Sequence, residues 1–386
     1  MSTANNSQTA RLGATHIGIA LVFALFWAGL GSLVVDIAAE HDFLNIYTGA
    51  TLAGEGRFAE LHDPAAQLAV ERTLAPENTE LVPFPRPSFY AALLAPLSWL
   101  PFRTAMYAWM GLHATLLVVL WFWGGRAFAP DAVILGAMFL PAALGIAHGQ
   151  DGVFMMAVVA GAWSLARKGR EEAAGAVLAL GLAKFHLMLC IPLALVLGRR
   201  WIMLRGFALC GAGLALLSVA LGGWSGAVQY VKLLQMKDLA RLSPSPELMV
   251  NAHSIGINLG LGGAWFSAGA VCLVLALLGV AAWRAPLATL FPAMLAASLL
   301  APPHVYAYDM ALLLPAIWIS CFESSSRWVK ITAGVLASPP IYLAALGDAP
   351  WPMLTPLFLL GFLAAHAAER ASQPARAAAR ETVAAA

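Results

Sequence analysis

The chain has 386 residues, 61% of them hydrophobic and only 11% charged, with a net charge of +2 and a mean hydropathy of +0.77. Soluble domains carry about a quarter charged residues, so this balance excludes a water-soluble globule and implies an integral membrane protein. The small net charge, without a Lys/Arg-rich run or an aromatic-basic platform, also excludes nucleic acid as a partner.

Residues Met1 to Ala10 are polar and uncharged, and the apolar run Ala14 to Val35 exceeds the short apolar core of a signal peptide. A retained first span is therefore expected there. A helix needs about 20 apolar residues to cross the hydrocarbon core, fewer if neighbouring protein shields its ends. On that basis spans are predicted at roughly 14–35, 104–124, 131–147, 152–166, 172–184, 185–198, 203–222, 264–284, 287–301, 307–322, 329–346 and 351–367. The expected fold is an all-α polytopic membrane protein of about twelve transmembrane helices. No internal repeat or soluble domain is visible, so residues 1–386 are expected to form a single integral membrane domain.

Pro87 to Leu100 is apolar but only about 14 residues long and bracketed by prolines, which fits a helix lying in the interface better than a span. With it excluded, Arg126, Arg167, Lys168, Arg170, Arg199, Arg200, Arg205, Arg284, Arg327, Lys330, Arg370, Arg376 and Arg380 all fall on the side of Arg11, which the positive-inside rule makes cytoplasmic. This topology predicts a first extracytoplasmic loop at 36–103 carrying juxtamembrane helices, a second at 223–263 and a cytoplasmic tail at 368–386. In the second loop, Val228 to Leu239 sets Val231, Leu234 and Leu239 against Lys232, Gln235 and Asp238, the pattern of an amphipathic interfacial helix.

The unusual polar residues then collect on one face. Lys184 interrupts the apolar run Leu178 to Leu189, where an ionisable group costs roughly 2.5 to 3.5 kcal/mol unless paired or facing water. The alternative is a lysine snorkelling to the interface. With similar lengths to Arg170 and to Arg199 on either side, two half-length helices are expected to meet at it. His148-Gly149-Gln150-Asp151 breaks two apolar runs without proline; it is either a polar turn or a place where Gln150 and Asp151 orient a hydroxyl or phosphate. His253 and His304-Val305-Tyr306-Ala307-Tyr308-Asp309 read as interfacial aromatics and caps or as ligand contacts. Asp42 is a loop carboxylate, ordinarily just solvated, but it shares its loop with Phe84-Pro85-Arg86-Pro87-Ser88-Phe89-Tyr90 and its face with Lys184. No two histidines have the spacing of a metal-ligand pair, and Cys190, Cys210, Cys272 and Cys321 all lie in apolar runs, so neither a metal nor a cofactor is expected.

In this order the residues resemble the polyprenyl-phosphate-mannose-dependent alpha-1,2-mannosyltransferase family, within the C-type superfamily of lipid-sugar-dependent glycosyltransferases. The resemblance runs from Asp42 to about Pro315. It rests on Asp42-Phe43 with Tyr47, Gly54-Glu55-Gly56, Phe84 to Tyr90, Gly149-Gln150, Ala174-Gly175 to Lys184, Asn251-x-His253-Ser254 and Pro303-His304-x-Tyr306. The chain departs from the family's pattern at Phe185, where proline is common, and at His148, where asparagine is common.

The resemblance implies a hexosyltransferase of the cell (inner) membrane, working at the extracytoplasmic face. It would move a hexose, mannose first among the options, from a polyprenyl-phosphate donor to a glycan or glycolipid acceptor. Glycosidases need two carboxylates because an alcohol leaving group must be protonated. A polyprenyl phosphate leaves as a stabilised anion with a second pKa near about 6, so a single base can suffice, aided by cations at the phosphate. The resemblance places that base at Asp42, with direct displacement and inversion. Lys184, Arg86 and His186 are the expected donor-phosphate partners, and Tyr47, Gln150, Asp151, His253 and His304 the expected sugar or acceptor contacts. A transporter or lipid flippase is the alternative, since broken helices at membrane depth also serve transport.

Overall fold

The first helix does not stop where its hydrophobicity does. From Asp36 to Thr48 the chain holds neither glycine nor proline, so nothing ends the helix until Gly54-Glu55-Gly56. There Gly56 turns at φ 72 and the amide of Arg57 closes onto the carbonyl of Leu52 at 2.8 Å. The resulting helix α1, Ala14–Gly54, has 41 residues. At 1.5 Å per residue it rises about 60 Å, roughly twice the hydrocarbon thickness. The predicted loop at 36–103 is corrected accordingly: its first third is helical, and Asp42, Asn45 and Tyr47 sit on α1.

The structure, a computed structural model, describes residues 13–76, 80–235 and 245–385, the side chains of 33–41, 346 and 373–385 excepted. Among these every regular element is helical. After α1 come α2 (Pro64–Leu74), α3 (Ser88–Leu94), α4 (Phe102–Ala127), α5 (Asp131–Met138), α6 (Leu140–Ala147), α7 (Gly152–Arg167), α8 (Glu171–Ala179), α9 (Cys190–Leu197) and α10 (Trp201–Leu234). Then follow α11 (Ala252–Asn258), α12 (Ala264–Ala282), α13 (Leu287–Leu300), α14 (Leu314–Glu323), α15 (Arg327–Ala337), α16 (Pro340–Leu343) and α17 (Leu354–Ala385).

Among the described residues, five helices are long and apolar enough to cross a membrane, at Ala14–Ser32, Phe102–Ala127, Trp201–Leu234, Ala264–Ala282 and Trp351–Ser372. A sixth span results if the pair Glu171–Met188 and Cys190–Leu197, bent by 111°, is counted as one. The sequence-based count of about twelve therefore reaches further than these spans. The other predicted spans map to shorter helices, among them α7 and α13, and prolines explain several of the breaks: Pro141 and Pro315 stand in the first turns of α6 and α14, and Pro292 lies inside α13. Short helices of this kind are tolerable where protein surrounds them, and α13 is buried along nearly its whole length.

Two apolar cores result. The larger lies within the bundle, centred on α7, α13 and α14 with Trp163, Phe291 and Trp318 fully or almost fully buried. The smaller joins the end of α1 to α2, α3 and the start of α4 through Phe43, Ile46, Leu52, Leu61, Phe84, Tyr90 and Met106. The run Pro87–Leu100 folds as α3 followed by the 3-10 segment Ala95–Trp99, packed on α1. Exposed tryptophans mark both ends of the bundle: Trp99, Trp224, Trp265 and Trp351 at one, Trp201, Trp283 and Trp328 at the other. Such belts form where an indole is half in lipid and half in water.

Beyond Gly223, which breaks α10 at φ 67 and ψ 179, the helix resumes to Leu234. Its buried residues are Gly226, against the turn at Phe58, and Leu233, while Val231 is exposed. The predicted apolar face through Val231 and Leu234 is thus rotated onto Leu233; Asp238 and Leu239 lie outside the described residues.

Helices α8 and α10 cross at two glycines. A Cβ on Gly175 would strike the carbonyl of Met203, and one on Gly206 the carbonyl of Glu172. Small residues let membrane helices approach backbone to backbone. Because the obstruction is backbone, Gly175→Ala is expected to destabilise the protein by at least the about 1–3 kcal/mol typical of overpacking. The readout is the monodisperse fraction on size exclusion in detergent; an unchanged fraction and melting temperature would contradict this packing.

Candidate active site

The site is built where α6 meets α7. His148 closes α6, Gly149 turns at φ 65, and Asp151 precedes α7. A side chain at Gly149 would strike Cβ of Phe43 at 2.9 Å, so glycine is required both by the backbone angle and by the approach of α1. The turn is held by its own backbone, with Gln150 N donating to Gly145 O at 2.7 Å, and by Trp109 Nε1 donating to Gly149 O at 2.9 Å.

From this turn Gln150 and Asp151 face two buried cations. Arg86 donates from Nε to Asp151 Oδ2 at 2.9 Å, from Nη1 to Asn45 Oδ1 at 3.1 Å and from Nη2 to Gln150 Oε1 at 3.2 Å. Lys184 Nζ lies 2.8 Å from Asp151 Oδ1, 2.8 Å from Asp309 Oδ1 and 3.2 Å from Gln150 Oε1. Two positive and two negative charges are thereby removed from water together. Such a set persists only if each charge is matched, because an unmatched buried ion costs several kcal/mol. Burial works against ionisation of Asp151, yet Arg86 and Lys184 hold its carboxyl well below the usual carboxylate range.

The backbone explains why Lys184 arrives here. It sits in the 3-10 segment Leu180–Met188 with φ −118 and ψ 69, a non-helical kink inside the first piece of the broken pair, whose 111° bend falls between Met188 and Cys190. Asp309 is fixed in turn, its Oδ2 accepting from Tyr306 N at 3.0 Å.

Arg86 is held from the other side. His62 Nε2 donates to its carbonyl at 2.8 Å. On α2, Gln67 and Glu71 stand one turn apart and grip the strand-like approach to Arg86: Gln67 Oε1 accepts from Phe84 N at 2.9 Å, and Glu71 Oε2 from Val82 N at 3.1 Å. Burial pushes the Glu71 carboxyl up to about 7 against that last hydrogen bond. A folded-state pKa above the unfolded value of 4.5 means that the folded protein binds the extra proton. The associated stability is present below the unfolded pKa and is lost as pH rises through about 7. Glu71→Gln should therefore raise the melting temperature at pH 8 relative to wild type, by about 1–3 kcal/mol of stability, and should bring no gain at pH 4. An equal shift at both pH values would contradict the assignment.

Asp42 stands at the edge of this network, its side chain 29% exposed, and its Oδ2 lies 2.7 Å from His148 Nδ1. The His148 ring centroid is 5.6 Å from that of Tyr308, and Lys184 Nζ is 5.5 Å from the same Tyr308 ring. Asp42, through His148, and Lys184 thus both neighbour the Tyr308 ring. Asp42 also acts electrostatically on His304 and Tyr306, and His186, 6.2 Å from His304 ring to ring, acts on Asp309.

Of the residues predicted from sequence, Asp42, Arg86, Gln150, Asp151, Lys184, His186 and His304 gather in this one region. Tyr47 is directed elsewhere, its hydroxyl donating to Leu100 O at 2.7 Å and tying α1 to the end of the juxtamembrane segment. His253 lies on α11 with Nδ1 2.5 Å from Ser267 Oγ. Asn45, His148, Tyr308 and Asp309 were not among the predicted site residues. Asp309 carried a visible signal, a carboxylate at the start of an apolar run, which reads equally well as a helix cap.

Fold and site together define an all-helical membrane protein with a matched charge cluster at one end of its bundle. A family model for Glycosyltransferase family 87 matches residues 84–315; the chain belongs to this family and is an enzyme, a membrane glycosyltransferase. Membership decides between the transferase and transporter readings. The match ends at Pro315, as the sequence resemblance does, but begins at Phe84, so it includes Arg86, Gln150, Asp151, Lys184, His304 and Asp309 and leaves Asp42 outside. Comparisons with curated proteins and with solved structures find no match.

Proposed function

We propose that the enzyme transfers a hexose, mannose in the first instance, from a polyprenyl-phosphate donor to a glycan or glycolipid acceptor at the extracytoplasmic face of the cell membrane. The observation that carries this reading is an accessible carboxylate, Asp42, in contact with His148, whose ring neighbours Tyr308, together with a buried cation, Lys184, 5.5 Å from that same Tyr308 ring. Asp42 takes the proton of the acceptor hydroxyl as that oxygen attacks the anomeric carbon, and the phosphate leaves with the bonding pair, inverting the configuration.

Arg86 and Lys184 are the donor-phosphate partners, with His186 nearby. Both donate to one neutral oxygen, Gln150 Oε1, at 3.2 Å. That oxygen occupies the position an anionic oxygen would take between them. A phosphate displacing it exchanges a neutral acceptor for a charged one, which forms hydrogen bonds roughly twice as strong. His304 is a sugar or acceptor contact, while Asp151, fully buried between Arg86 and Lys184, acts as their counter-ion and not as a sugar contact. At the opposite end of the bundle lie Arg167, Arg200 and Arg205, paired with Glu323, Glu171 and Glu172. Basic residues there support a cytoplasmic orientation of that end and an outward-facing site.

The test uses membranes containing the enzyme and radiolabelled mannose supplied either on polyprenyl phosphate or on a nucleotide, with new synthesis of the lipid donor blocked. Label is expected in membrane glycans from the lipid donor alone. Transfer from the nucleotide sugar under that block would overturn the donor assignment.

A further inference from the structure

Asp42 meets His148 at 2.7 Å, Oδ2 to Nδ1, with both side chains about equally accessible at 29% and 30%. An ionised carboxylate only accepts hydrogen bonds, so the contact places a proton on Nδ1 and leaves the lone pair of the neutral ring on Nε2. The imidazole is not needed to shape the turn that carries it. His148 N donates to Leu144 O at 2.9 Å, Gly149 N to Ile146 O at 2.9 Å and Gln150 N to Gly145 O at 2.7 Å, so the backbone is fixed independently of the side chain. The histidine projects from this rigid support toward Asp42, a carboxylate outside the matched cluster; Asp151, three residues on, is already engaged by Arg86 and Lys184.

We propose that His148 is a positioning residue for Asp42, and that only its neutral form supports transfer. This rests on the reading of Asp42 as the base. With the ring neutral, Nδ1–H holds Oδ2 and turns Oδ1 to the acceptor hydroxyl. The acceptor proton moves to Oδ1 while the new C–O bond forms and the bond to the phosphate oxygen breaks. Protonation at Nε2 puts a full positive charge on the ring 2.7 Å from the carboxylate, and a cation there lowers the basicity that the step requires. The other groups facing the ring are Tyr308 from the segment Ala307–Leu313, with Tyr306 and His304 next to it. Of these neighbours Asp42 is the carboxylate in direct contact, at 2.7 Å.

The experiment is transfer from the lipid donor as a function of pH, from about 5.5 to 8.5, by wild type, His148→Asn, His148→Leu and Asp42→Asn at matched expression. Wild type is expected to lose rate toward the acid end of this range, by up to about tenfold per pH unit. His148→Asn keeps an N–H for Oδ2 but cannot be protonated. It should retain at least about a third of the rate at pH 8 and lose the acid limb, whereas His148→Leu should fall about tenfold or more in kcat at pH 8 with little change in KM, and should also lose the acid limb. An acid limb unchanged in His148→Asn, or a fully active His148→Leu, overturns the proposal while leaving the base assignment intact. A fully active Asp42→Asn overturns both.

Discussion

Asp42→Asn should abolish most transfer, lowering kcat by about 10²- to 10⁴-fold, the usual contribution of a positioned general base, with little effect on the KM for the lipid donor. The substitution keeps the shape of the side chain, and its amide oxygen can still accept from His148 Nδ1 at the present 2.7 Å contact. With 29% of the side chain exposed and none of the buried charges engaged by it, its loss should not unfold the protein. A folded and inactive variant is therefore the expected result, seen as an unchanged melting temperature beside lost label incorporation. Transfer at the wild-type rate would remove Asp42 from the chemistry. Because the family match begins at Phe84, this experiment bears on a proposed role that lies outside the matched residues.

How much of this was legible in the sequence depended on range. Hydropathy sufficed to place the apolar runs, and a lysine between two half-length segments sufficed to expect a break; the backbone is non-helical at Lys184, with the 111° bend a few residues on, between Met188 and Cys190. The polar stretch after Val35 misled, because polarity was read as loop where the absence of helix-breaking residues permits helix; the stop at Gly54-Glu55-Gly56 was visible, and α1 runs to it. The site was legible residue by residue but not in its pairing. Lys184 and Asp309 are 125 positions apart, Arg86 and Asp151 65, and Asp42 and His148 106. No local pattern encodes which cation meets which carboxylate, so Arg86 and Lys184 read as charges awaiting a phosphate, while the folded chain already matches them with Asp151 and Asp309.

That matching makes Lys184→Met the second large prediction, with two separable effects. Removing the ammonium leaves Asp151 and Asp309 buried with Arg86 as the remaining cation of the cluster, an uncompensated charge worth about 3–5 kcal/mol of lost stability. The single variant should therefore express poorly or melt early, and its inactivity alone says nothing about the donor. Lys184→Met combined with Asp309→Asn restores neutrality, and the asparagine oxygen can still accept from Tyr306 N. The double variant is expected to recover most of the lost melting temperature but not transfer, because Gln150 Oε1 then sits beside Arg86 alone and a donor phosphate has one cation in place of two. Wild-type transfer by the double variant would show that Lys184 serves only to neutralise the carboxylates; wild-type stability of the single variant would show that the cluster is not charge-matched as its distances imply. Recovery of folding without recovery of activity assigns Lys184 both roles, with Asp309 its structural counter-ion.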